Sequence, residues 1–155
     1  QARMGPLVRP QDRTLTLREV TLFVDTSVWS LALRRDADPG LAEVQALRQA
    51  LAGEEIVVTT GVVLQELLQG FSGPRAGPEI IERFSALPMI TPDRDDHVEA
   101  ATLRNLCRRK GVQIGTVDAL LMQLCVRHDM TMLTTDQDFT LAARHCPLRV
   151  WAAAR

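Results

Sequence analysis

Residues 21–27 read Thr-Leu-Phe-Val-Asp-Thr-Ser. The run begins with apolar residues that do not alternate with polar ones, and it stops at a carboxylate, Asp25. A short continuous apolar run suits a strand buried on both faces, as in a parallel sheet. Asp25-Thr26-Ser27 then supplies N-cap chemistry, predicting a helix through about Arg34. One stretch of seven residues therefore predicts a buried strand, an acid at the strand's C-terminal end, and a helix start.

The same alternation continues downstream. Asp36 to Gly40 breaks the chain, and residues 41–52 carry Leu41, Val44, Leu47, Ala50 and Leu51 at helical spacing, with Gly53 as the cap. Ile56-Val57-Val58 reads as a second buried strand. Thr59-Thr60-Gly61 leads into a helix ending near Gly70, and Ser72 to Pro78 reads as a loop. Residues 79–87 look helical, and Pro88 to Ile90 is a short strand candidate. A long helix is expected over about 94–110, closed by Gly111, and another from Gly115-Thr116 to about His128. Thr131-Met132-Leu133 is a strand, Asp136 to Arg144 a short helix, and Leu148 to Trp151 a last strand.

Short apolar strands separated by amphipathic helices predict an α/β fold. The expected form is a three-layer α/β/α arrangement around a central, mainly parallel sheet. Residues 20–155 are expected to form this single domain. Residues 1–19, with Pro6, Pro10 and four arginines, are expected to be a flexible N-terminal extension.

Bulk composition narrows the function classes. The chain has 155 residues, enough for one domain with a substantial core. With 46% apolar and 24% charged residues it is neither disordered nor fibrous. No apolar run approaches a membrane span. A net charge of −1 argues against a non-specific nucleic-acid coat, which needs a basic field. Cys107, Cys125 and Cys146 are odd in number and lack a CxxC pair, so they read as thiols of a reducing, cytoplasmic compartment. No GxxxxGK[ST] or GxGxxG pattern occurs, and Ser27 has no histidine near it in sequence. His97, His128 and His145 lack metal-ligand spacing.

In a parallel α/β sheet the C-terminal ends of strands and the N-terminal ends of helices share one edge, where ligands bind. Five acids map to that edge. Asp25 follows the first strand, and Asp136 and Asp138 follow the 131–133 strand. Asp118 lies in the first turn of its helix, and Glu66 in the second turn of the helix after the second strand. Glu66 is expected on a face with Val62, Val63 and Gly70, and Asp118 on one with Leu121, Met122 and Cys125. An acid on an apolar face must be compensated, by a salt bridge or by a bound cation. Singly, each acid has a structural explanation: Asp25 and Asp136 as N-caps, Asp118 as a helix-dipole partner, Glu66 paired with an arginine. Together on one edge they point to a cation, and oxygen-only ligands favour Mg²⁺ or Mn²⁺ over zinc.

Four segments carry a resemblance: Leu-Phe-Val-Asp-Thr-Ser at 22–27, Leu-Gln-Glu-Leu-Leu-Gln-Gly at 64–70, Gly-Thr-Val-Asp-Ala-Leu-Leu at 115–121, and Leu-Thr-Thr-Asp-Gln-Asp-Phe at 133–139. In this order and spacing the chain resembles PIN-domain proteins, and most of all the VapC toxins of toxin–antitoxin pairs, from about Thr21 to Trp151. The resemblance implies metal-dependent cleavage of RNA phosphodiesters. It implies Asp25 and Asp118 as direct metal ligands, with Glu66 and a fourth acid beside them. That fourth acid is Asp136 by first choice and Asp138 by second, and Thr134 is expected to support Asp136 by a hydrogen bond. It also implies a VapB-like antitoxin as partner and a homodimer. Arg34, Arg35, Arg104, Arg108 and Arg109 are candidates for contact with the RNA backbone. The competing readings are a housekeeping RNA-processing or DNA-acting nuclease with the same site, and a non-catalytic interaction module of the same fold.

Overall fold

A computed structural model describes residues 20–154, so the expected N-terminal extension lies outside the described residues. Five parallel strands form one sheet: β1 (Thr21–Val24), β2 (Ile56–Thr60), β3 (Met89–Ile90), β4 (Thr131–Leu133) and β5 (Arg149–Val150). Their order is β3-β2-β1-β4-β5, with β1 at the centre. Leu22 registers with Val57 on one side and Thr131 on the other, and Val24 with Leu133. Leu22, Phe23 and Val24 are all buried, which explains why this strand reads as an unbroken apolar run.

Seven helices connect the strands: α1 (Thr26–Leu33), α2 (Ala42–Ala52), α3 (Gly61–Gly70), α4 (Ala76–Ser85), α5 (Arg94–Arg109), α6 (Thr116–Arg127) and α7 (Gln137–Ala142). The chain runs outward in one direction from β1 through β2 to β3, then crosses back to β4 and on to β5. Right-handed crossovers therefore place α1–α4 on one face and α5–α7 on the other, the expected three layers. Helix contacts follow this division: α1 packs on α2 and α3, α3 on α4, and α5 on α6. The core is built from Phe23, Val24, Leu47, Leu67, Leu121, Leu124, Met132, Leu133 and Phe139, with Trp29 stacked on Phe84 at 4.8 Å.

Two boundaries differ from expectation. The loop expected to run to Pro78 ends at Arg75, because α4 begins at Ala76 and holds Pro78 in its first turn. There the missing N–H has no intrahelical partner to lose, so proline continues the helix. Strand β2 extends through Thr59 and Thr60, both buried, because pairing with β3 carries the ladder to Thr60↔Ile90. Gly111 closes α5 as expected, with φ at +80°, a conformation that suits glycine.

Candidate functional site

The order in which strands are added reverses between β1 and β4, and these two parallel strands lie side by side. Such a switch point opens a crevice at the C-terminal strand ends. Asp25 leaves β1 there, and Thr134 to Asp138 leave β4. The Asp25 N–H donates to the Leu133 carbonyl at 2.9 Å, so the ladder runs one step beyond the strands and brings Asp25 beside Thr134.

Asp25 is buried, with 6% of its surface exposed. It occupies the N-cap position of α1, yet its carboxylate caps nothing. Instead Oδ2 accepts two hydrogen bonds, from the Ser27 hydroxyl at 2.8 Å and the Thr134 hydroxyl at 2.8 Å. Each hydroxyl is itself an acceptor: the Thr135 N–H donates to Ser27 at 3.1 Å and the Asp136 N–H to Thr134 at 3.0 Å. The side-chain cap expected of Asp25 is thus not formed, because Oδ2 is held by the Ser27 and Thr134 hydroxyls. The expected bond between Thr134 and Asp136 is present through the Asp136 backbone. Asp136 does cap its own helix, accepting from the Asp138 N–H at 2.9 Å.

Asp118 projects from the first turn of α6 and is half-buried, above Leu121, Met122 and Cys125, which are fully buried. Its pKa is raised to about 6, first by burial, then by the charges of Asp25, Asp136, Glu66 and Asp138 in that order. One helix position thus senses all four other acids. Glu66 departs from the expected buried face. Val63 and Leu67 form the buried stripe of α3, and Glu66 lies beside that stripe as an exposed residue. Its pKa is raised by partial burial and then by the charge of Asp25, with the Thr26 side chain holding the rise back. Asp138 is exposed and Asp136 half-buried.

Among the described residues, none of the five acids forms an ion pair. The arginine partner considered for Glu66 is therefore not found there. Two of the candidate RNA-contacting arginines have other partners: Arg104 donates to the Ile114 carbonyl at 2.8 Å, and Arg108 to Asn105 at 3.0 Å. Two surface grooves, one between α1, α2 and α4 and one between α5 and α6, are lined by none of the five acids.

The donor set is compatible with a hard divalent cation. It is all oxygen and negative, and each charge opposes ionisation at Asp118. Among the described residues, no three His, Cys, Asp or Glu side chains stand ready to ligate one ion by themselves. Mg²⁺ does not need three: it typically takes one or two carboxylates and keeps several waters.

An all-parallel sheet with acids gathered at its switch point defines the class as an α/β protein of the doubly wound kind. Residues 22–144 match the PIN domain, and the chain belongs to that family. Solved structures share the fold. VapBC2 from Rickettsia felis bound to a DNA fragment from its promoter aligns with a TM-score of 0.67 at 18% identity, covering 85% of this chain and 98% of that one. FitAcB from Neisseria gonorrhoeae aligns at 0.63 and 19% identity, covering 85% and 97%. Mycobacterium tuberculosis VapC20, a sarcin–ricin loop cleaving toxin, aligns at 0.59 and 24% identity, covering 83% and 99%. Sequence reasoning missed one contact, that of Ser27 with Asp25, having considered Ser27 at the helix start and as a nucleophile. Its signal was available: a hydroxyl two residues after the strand-end acid, able to reach back to that acid's carboxylate.

Proposed function

We propose that this protein is a Mg²⁺- or Mn²⁺-dependent endoribonuclease and the toxin of a VapBC-type pair. The observation that carries the reading is the half-buried Asp118, lifted to about 6 by its burial and then by four neighbouring acids that form no ion pair among the described residues. An arrangement that repels itself is compensated by a bound metal. Membership in the PIN family and the likeness to toxin–antitoxin structures support the substrate class and the partner.

Asp25 and Asp118 would hold the ion directly, with Glu66 and Asp136 completing the site directly or through water. Asp136 is favoured over Asp138 as the fourth acid, since it is half-buried, where Asp138 is exposed, and it weighs more on Asp118. The ion, when bound, supplies Lewis acidity that polarises the scissile phosphodiester and makes water more acidic. Glu66 is the better candidate for general base, since it stays open to solvent beside Asp25, with its pKa raised by partial burial and by that acid's charge. The protein is proposed to act as a homodimer neutralised by a VapB-like antitoxin. No helix among the described residues is long and apolar enough to cross a membrane.

The test is RNA cleavage by the purified chain, with RNA ends sequenced. Activity is expected to stop with EDTA and return with Mg²⁺ or Mn²⁺. Cleavage that persists in excess EDTA overturns the metal-dependent reading. Growth arrest on expression, relieved by a co-expressed neighbouring small protein, separates a toxin from a housekeeping nuclease.

A further inference from the structure

We propose that Ser27 and Thr134 are positioning residues: a paired hydroxyl clamp that pins one oxygen of Asp25 so that the other is presented to the cation. The inference rests on the functional reading above and adds residues that touch neither metal nor substrate.

The polarity of the clamp follows from the carboxylate and from the outer partners. A backbone N–H can only donate, and it cannot turn away. The Thr135 N–H occupies a lone pair of Ser27 Oγ, and the Asp136 N–H one of Thr134 Oγ1. An ionised carboxylate only accepts, and the two hydroxyls lie 3.4 Å from each other but 2.8 Å from Asp25, so each gives its proton to the same atom, Oδ2. The relay is symmetric about the carboxylate: Thr135 N–H to Ser27 to Oδ2, and Asp136 N–H to Thr134 to Oδ2.

Two donors on one oxygen, from two different segments of chain, remove the carboxylate's freedom to rotate about its terminal bond. That bond is otherwise soft, since sp³–sp² torsions have broad minima. A carboxylate offers about four lone-pair sites. The clamp consumes those of Oδ2, and Oδ1 accepts from no protein group among the described residues. Oδ1 is not sealed either, for it is absent from the buried atoms that lack a partner. Outer partners that orient a ligating carboxylate are a recurrent feature of metal sites. Here they also tie the carboxylate to the β4 loop that carries Asp136, so both acids are set by one network.

The experiment is calorimetric titration of the full-length metal-free protein with Mn²⁺, with the thermal midpoint recorded for every variant. Ser27→Ala and Thr134→Val are each expected to weaken Mn²⁺ binding by about tenfold, at the lower end of the range for outer-shell partners. Ser27→Thr and Thr134→Ser, which keep the hydroxyl, are expected to restore it to within about twofold of wild type. Wild-type Mn²⁺ binding with unchanged affinity in both hydroxyl-deleted variants overturns the clamp while leaving the metal site standing. A loss that the hydroxyl-retaining variants do not recover also counts against it, since it assigns the effect to packing. A wild-type chain that takes no Mn²⁺ overturns the functional reading and the clamp with it. Should Thr134→Val lower the thermal midpoint too far to titrate, Ser27→Ala carries the test, since Ser27 is half-buried in the first turn of α1.

Discussion

Among the described residues, two clusters of carboxylates each hold a buried member, and they are built oppositely. At the N-terminal end of α5, Asp93 and Asp96 form a reciprocal capping box, and Arg127 of α6 pairs with both, at 2.9 Å and 2.6 Å. Asp96 is completely buried. Burial opposes its ionisation, yet the Asp93 backbone N–H, Arg127 and Gln123 outweigh that and hold its pKa below the ordinary value. At the strand edge, Asp118 is less buried, but burial and then the charges of the other acids both raise its pKa, and no ion pair among the described residues offsets them. The first cluster is a finished structural device that fastens α5 to α6. The second has no cationic partner among the described residues, and the proposed function completes it with a metal ion. Burial alone does not mark a functional acid; the absence of compensation does.

The contrast makes its largest claim about activity. Asp25→Asn or Asp118→Asn is expected to lower metal-dependent RNA cleavage by at least about 100-fold, more than the loss of an outer partner costs. Circular dichroism should be unchanged. Wild-type cleavage by either variant, in nuclease-free preparations, would break the assignment of this edge as the active site.

Asp96→Ala tests the opposite cluster. It removes the reciprocal half of the capping box, leaves Gln123 without its acceptor and leaves Arg127 paired with Asp93 alone. The expected cost is about 2 kcal/mol of unfolding free energy, with Mn²⁺ affinity unaltered. Denaturant unfolding and calorimetry together check this. A shift in Mn²⁺ affinity without a loss of stability would reverse the roles given to the two clusters.

The clusters should also part company with pH. Metal binding needs Asp118 deprotonated, so Mn²⁺ affinity is expected to fall by about tenfold for each pH unit below about 6. In the metal-free protein the raised pKa has a second consequence. Above about 6 the folded state holds an ionised Asp118 at a cost, so this acid's contribution to stability improves as pH falls from 7 toward 5. Asp96 has the opposite sign. Its contribution is present above the ordinary carboxylate range and is lost as pH falls through its lowered folded value. Calorimetric titrations from pH 7.5 to 5 provide the check, and a flat affinity profile would remove Asp118 from the ligands.

The smallest effect is a gain. Asp118→Asn should stabilise the metal-free protein at pH 7 by on the order of 1 kcal/mol, discounted for partial screening by solvent. It removes one charge from the repelling set. A fall in thermal midpoint would mean that Asp118 already has a compensating partner.

Much of this was legible in sequence because it depends on local pattern. The run at 22–24 announces a strand buried on both faces, and the helices announce themselves by periodicity, Gly111 marking the end of α5. Placing Asp25, Glu66, Asp118, Asp136 and Asp138 at one edge needed only the rule that parallel strands end together. The four motifs then supplied the family. Where sequence reading failed, a choice between two partners was at stake. Asp25 looks like an N-cap because its backbone position is one. Which donor its carboxylate takes depends on β4, more than a hundred residues away in sequence. Glu66 looks inward because it neighbours apolar residues on α3. The sheet, not the helix, decides that Val63 and Leu67 form the buried stripe. The sequence alone determined the elements, their parallel arrangement and the acids at their ends, since these follow from residue type and spacing. Only the tertiary structure decided which acids are compensated. That Arg127 answers Asp96 while hydroxyls answer Asp25 is a matter of distance between segments that local propensity does not encode.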